Sequence, residues 1–179
     1  MAKRTDARIA SGNMKKKKSA SREVAEVVAA FVIAWLAYQG LAVLTGTPLP
    51  IVSVVSDSMY HTDHFDGWWT QSGGFYKSID INKAEFRGMP TANGLSRGDL
   101  LFVVRPDNLK VGDVIIYNRL DGFTIVHRLI EINGNYVVTK GDNNADQDKT
   151  INVSQIQGKM VFAMPVLGYP RFLLHLVGI

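Results

Sequence analysis

The apolar positions of this chain fall into one long uninterrupted block followed by several short ones. The block, Val27–Leu44 (VVAAFVIAWLAYQGLAVL), holds no charged residue across 18 positions, and Val24 and Ala25 extend it past Glu26. At about 1.5 Å per residue, a helix of that length spans the ~30 Å hydrocarbon core of a bilayer. Apolar side chains occupy every face instead of one stripe, so the pattern predicts a membrane-crossing helix over 23–46, not a core helix. Pro48 and Pro50 end it and begin an extended segment.

Beyond residue 50 the runs become short and β-branched. Ile51–Val55 (IVSVV) predicts a strand. Two similar units follow, Gly98-Asp99 before LLFVV and Gly112-Asp113 before VIIY, each a turn feeding a strand, with the aspartates as turn stabilisers. Thr124–Ile132 and Asn135–Lys140 flank Asn133-Gly134, a strong hairpin signal because both residues tolerate positive φ. A turn at Asn133-Gly134 sets His127 opposite Lys140; a loop over Asn133–Asn135 sets it opposite Gly141. Either register brings the acidic loop Gly141–Asp148 beside His127. Gly158–Val166 predicts one more strand. The C-terminal tail, 167–179, is too short and too interrupted by Pro170, Arg171 and His175 to span; it is expected to lie on the membrane surface or pack on the domain. Tyr60–Ser96 shows no regular period and is expected to be an inserted, lid-like segment. Its Trp68-Trp69 and Phe75-Tyr76 pairs suit either a membrane interface or the core of a small subdomain.

At 179 residues the chain has room for one domain and an appendage. It contains no cysteine, which excludes disulfides, thiolate metal sites and a cysteine nucleophile. Residues 1–22 carry +7; with +4 for the whole chain, the remainder carries −3. The basic character thus belongs to the tail, and no nucleic-acid partner is expected for the body. The tail has almost no large apolar side chains and is expected not to fold alone. The positive-inside rule then keeps 1–22 cytoplasmic and sends 47–166 across the cell membrane or endoplasmic-reticulum membrane. No Ala-x-Ala-like site follows the apolar block, so it is read as an uncleaved anchor.

Candidate chemistry is sparse. Ser58 sits at a strand end, His127 on the hairpin, and Asp142 and Asp148 in the neighbouring loop. His61, Asp63, His64 and Asp66 imitate a metal cluster, but their spacing fits no tetrahedral site, and they read as solvated loop residues. Asp142, Asn144, Asp146 and Asp148 alternate like half a calcium loop, yet Gln147 and Val153 stand where glycine and glutamate belong. No metal and no other cofactor is expected.

With Ser58, His127 and Asp148, the chain resembles a type I signal peptidase of the archaeal and endoplasmic-reticulum branch. The matching pieces stand in family order: a basic N-terminus, one anchor, Ser56-Asp57-Ser58-Met59, Gly98-Asp99, Gly112-Asp113-Val114, His127-Arg128, and Lys140-Gly141-Asp142-Asn143-Asn144 with Asp148 following. They cover roughly residues 24–166. The bacterial branch places a lysine where His127 stands. The family often has proline two residues after Ser-Met, where this chain has His61. The resemblance implies a mainly β, signal-peptidase-like catalytic domain behind a single transmembrane helix. It implies a membrane-bound serine endopeptidase that cuts signal peptides from translocated preproteins after small residues. Ser58 would be the nucleophile, His127 the base, Asp148 the first choice for third member and Asp142 a supporting acid. Arg128, one strand position from His127, would face the opposite side. The backbone N–H of Ser58 and the hydroxyl of Ser56 would hold the oxyanion. Expected partners are preprotein signal peptides, membrane lipid, and other subunits or secretion machinery. The competing expectation is a catalytically silent, membrane-tethered β domain that binds secreted chains or partner subunits.

Overall fold

The computed structural model describes residues 20–165 and Leu167. The expectations for 1–19, for Val166 and for 168–179 lie outside the described residues. The chain divides into two units, one ending at Ala37 and the other beginning at Tyr38. The first is the greater part of helix α1, Ala20–Thr45, whose 26 residues bury no side chain. By length and composition it is able to cross a membrane.

The second unit is built on one antiparallel sheet. In chain order its strands are β1 (Ile51–Ser53), β2 (Leu100–Val104), β3 (Val114–Asn118), β4 (Thr124–Asn133), β5 (Tyr136–Lys140), β6 (Ile151–Asn152) and β7 (Ile156–Met164). Their order across the sheet is β1-β2-β7-β3-β4-β5-β6. The fold is therefore mainly β, as the short β-branched runs predict. Both Gly-Asp units are turns in which the aspartate accepts from the backbone three residues earlier: Ser96 N–H to Asp99 at 2.8 Å and Lys110 N–H to Asp113 at 2.9 Å.

The β4–β5 hairpin forms, but with neither expected loop; the register that sets His127 opposite Lys140 is not found, and the one that sets it opposite Gly141 is reached through a bulge. Asn133 pairs with Tyr136, so the loop itself is Gly134-Asn135. A bulge at Ile130 then shifts the ladder by one residue, so that Arg128 pairs with Lys140 and His127 lies opposite Gly141. His127 and Arg128, adjacent on β4, point to opposite faces, and both are buried.

Tyr60–Ser96 is more regular than its sequence implies. It carries helix α2 (His64–Ser78) and helix α3 (Lys83–Arg87). Asn82 caps α3: its side chain accepts from Ala84 and Glu85 N–H, while Glu85 accepts from Asn82 N–H at 2.9 Å. On α2, Phe65, Trp68, Trp69 and Tyr76 share one face and bury it with Phe86 and Ile81 against Ile130 of β4 and Val138 of β5. The tryptophan pair is thus core. Each large ring buried this way stabilises the fold by roughly 1.5–3 kcal/mol, which explains why a polar, glycine-bearing helix docks at all.

Candidate active site

Ser58 lies just past β1, in a turn closed by Tyr60 N–H to Asp57 C=O at 3.0 Å. The turn is fastened to the 141–144 loop. Asn143 donates its backbone N–H to Ser58 C=O at 2.8 Å and its side-chain amide to Asp57 C=O at 3.1 Å. Ser58 is half-buried and Ser56 exposed. Their hydroxyl oxygens are 3.2 Å apart.

His127 is held by β3 on one side, pairing with Ile115. Its Nδ1 lies 2.5 Å from Asp148 Oδ2. A carboxylate only accepts, so Nδ1 carries a proton, and in the neutral imidazole Nε2 is the nitrogen with the free lone pair. Asp148 is itself fixed: its N–H donates to Thr139 C=O at 2.8 Å, and Oδ2 also accepts from Thr139 Oγ1 at 2.6 Å and Tyr117 hydroxyl at 3.2 Å. Burial works against ionisation of Asp148, but the bonds from His127, Thr139 and Tyr117 outweigh it and hold the carboxyl below its ordinary range. The Tyr117 phenol is pushed up to about 12, chiefly by burial, and so stays a donor. On the far side of the ring, a Cβ at Gly141 would come within 2.8 Å of His127 Nε2. Only glycine lets the loop approach the imidazole so closely.

Ser56, Ser58 and His127 line a common groove of about 440 Å³, with Ile51–Val55 on one bank and Gly122–Val126 on the other. β1 is an edge strand, and Thr124–Val126 of β4 pairs with β3 alone, so each bank has an unpaired backbone edge. No hydrogen bond joins Ser58 Oγ to His127; the serine hydroxyl turns to Ser56 instead. No residue of 60–96 lines this groove, so the segment expected to be lid-like packs behind the sheet.

Asp142 does not reach His127. It is fully buried on the other face, where it accepts from Arg128 Nε at 2.9 Å and Nη2 at 2.7 Å, from Tyr76 hydroxyl at 2.8 Å, and meets His61 Nε2 at 3.0 Å. Burial opposes its charge, but the Arg128 guanidinium and the His61 bond prevail, holding it well below the carboxylate range. His61 corrects the solvated-loop expectation, being 4% exposed, whereas Asp63, His64 and Asp66 are exposed as expected. Lys140, whose amine burial lowers, bonds Gly141 and Asn144 carbonyls and does not line the groove. Tyr117, Thr139 and His61 were not legible as site residues, because each meets its carboxylate only through tertiary folding.

No protein-family model matches the chain, and no solved structure matches it. Among curated proteins it is similar to the signal peptidase complex catalytic subunit SEC11 of Fusarium vanettenii, 31% identical over 157 residues, covering 79% of this chain and 73% of the relative. The subunit of the same name from Verticillium alfalfae is 30% identical over the same shares. That of Saccharomyces cerevisiae (strain YJM789) is 28% identical over 78% of this chain and 74% of the relative.

Proposed function

The chain belongs to the family of signal peptidase catalytic subunits, the endoplasmic-reticulum branch of type I signal peptidases, and from that premise we propose that it is a membrane-bound serine endopeptidase in which Ser58, His127 and Asp148 carry the reaction. The single observation behind this reading is the 2.5 Å His127–Asp148 contact with His127 and Ser58 on one groove.

In this reading a preprotein lies extended in the groove, adding to an unpaired strand edge, and small side chains precede the cut. Ser58 turns its hydroxyl from Ser56 to His127 Nε2, which takes the proton as Oγ attacks the scissile carbonyl. Asp148 holds the imidazole tautomer and stabilises the imidazolium. The developing oxyanion is met by Ser58 N–H and by the Ser56 hydroxyl that Ser58 has released. The imidazolium returns the proton to the leaving amine. Water, deprotonated by His127, then attacks the acyl carbonyl, and as the acyl–Oγ bond breaks the imidazolium gives that proton to Ser58 Oγ, regenerating the serine.

The same proposal assigns 1–22 to a cytoplasmic tail, 23–46 to the anchor, 47–166 to an extracytoplasmic catalytic domain and 167–179 to an apolar tail. The relatives are named as subunits of a complex, and partner subunits are proposed here too, beside signal-peptide substrates and lipid. The test is cleavage of a signal-bearing precursor by purified full chain in lipid or detergent. Wild type is expected to cleave and Ser58→Ala to lack turnover; undiminished cleavage by Ser58→Ala would refute the serine mechanism. A wild type that binds precursors without cutting any would favour the silent binding domain.

A further inference from the structure

Three residues beyond Ser58 sits a second histidine that the proposed reaction does not use. His61 lies flat against the Trp68 indole, ring centroids 3.7 Å apart and planes 3° from parallel. Its Nε2 aims at Asp142 Oδ2 from 3.0 Å, while Nδ1 is buried with no hydrogen-bond partner among the described residues. A phenylalanine would fill the same slot without leaving a buried nitrogen unsatisfied. The imidazole therefore matters for the proton it presents to Asp142, not for its shape.

Asp142 is placed to transmit that contact. Its four carboxylate acceptor positions are filled by Arg128 twice, Tyr76 once and His61 once. Its backbone is also fastened: the N–H points to Met59 sulfur at 3.4 Å, and the C=O accepts from Trp68 Nε1 at 3.1 Å. Its two chain neighbours are the residues that touch the reacting groups. Gly141 packs against His127 Nε2, and Asn143 donates to Ser58 C=O. A shift of Asp142 thus moves base and nucleophile relative to each other. Trp68 and Tyr76, two of the side chains holding this junction, come from α2.

We propose that His61 is a positioning residue for the peptidase reaction: seated on Trp68, it completes the donor set of Asp142, and Asp142 sets the separation of Ser58 from His127. This rests on the serine reading above. It makes α2 a buttress of the site, not a cover over it.

The experiment compares His61→Phe, His61→Gln and Tyr76→Phe in the full chain, measuring kcat and KM on a precursor peptide together with thermal unfolding. His61→Phe keeps the stack and loses the donor; His61→Gln offers an amide N–H near the Nε2 position. A misplacement of about 1 Å is worth roughly 100-fold in rate. His61→Phe is expected to lose about that in kcat per folded molecule, with KM within about twofold. His61→Gln is expected to recover most of the loss, and Tyr76→Phe, which likewise removes one of the four donors of Asp142, to lower kcat by a comparable factor. Wild-type kcat in folded His61→Phe, or equal impairment of Gln and Phe variants, would overturn the proposal. If His61→Phe does not fold, wild-type kcat in Tyr76→Phe would do so. Ser58→Ala run alongside separates the two ideas: cleavage surviving there refutes the serine reading, whereas the His61 proposal fails on kcat in a serine-dependent enzyme.

Discussion

Replacing Asp148 by Asn removes one charge from the site and little else. Three donors, His127 Nδ1, Thr139 Oγ1 and Tyr117 hydroxyl, converge on the single atom Oδ2. The amide oxygen of the substituted side chain is the only atom that satisfies all three, so the imidazole tautomer survives and the loss is the charge opposite the imidazolium. Unit charges about 4 Å apart attract by about 4 kcal/mol at an effective dielectric near 20. That dielectric suits a carboxylate 22% exposed. At 1.36 kcal/mol per tenfold, kcat/KM should fall about 1,000-fold. The assay is cleavage of a fluorogenic precursor peptide by Asp148→Asn in detergent, with Ser58→Ala as the zero line and circular dichroism to confirm folding. A loss below tenfold in a folded variant would refute the assignment of Asp148 to the base.

Asp142 and Arg128 should respond differently, through stability. Arg128→Met strands a fully buried carboxylate and should cost about 3–5 kcal/mol in denaturant unfolding; a loss under 1 kcal/mol would contradict the buried pair. Asp142 is held below its ordinary value of 3.8 in the folded protein. Its contribution is therefore fully present above that value and is lost as pH falls through and below it. Acid unfolding monitored by fluorescence should steepen below about pH 4, and Asp142→Asn should flatten that arm while lowering stability at neutral pH. Topology is checked by proteolysis of sealed membranes: protease on the extracytoplasmic side should reach residues after 50 and spare the basic tail, and the opposite pattern would invert the proposed orientation.

The long helix and most strands were legible because their causes are local. Unbroken apolarity over Val27–Leu44 predicts a long helix from local composition alone, and Gly-Asp before a β-branched run dictates a turn. The hairpin was legible too, but its turn falls one residue later than Asn133-Gly134, and its register depends on a bulge at Ile130 that no local signal announces. Helix α2 escaped because Gly67, the Gly73-Gly74 pair and flanking polar residues hide a face that was present: Phe65, Trp68, Trp69 and Tyr76 recur at helical spacing. The closeness of His127 to the acidic loop followed from counting across one turn. The division of labour between Asp148 and Asp142 did not. It depends on which face of the sheet each carboxylate enters, and on donors such as Tyr76 and His61, 66 and 81 residues from Asp142.

Ser58 as an alcohol activated by His127 is tested most directly by covalent capture. The full chain is incubated with a peptidyl phosphonate ending in alanine, digested, and mapped by mass spectrometry. The account predicts one adduct, on Ser58 Oγ, formed by wild type and at least 100-fold more slowly by His127→Ala. An adduct on another residue, or formation at an undiminished rate without the imidazole, would contradict it.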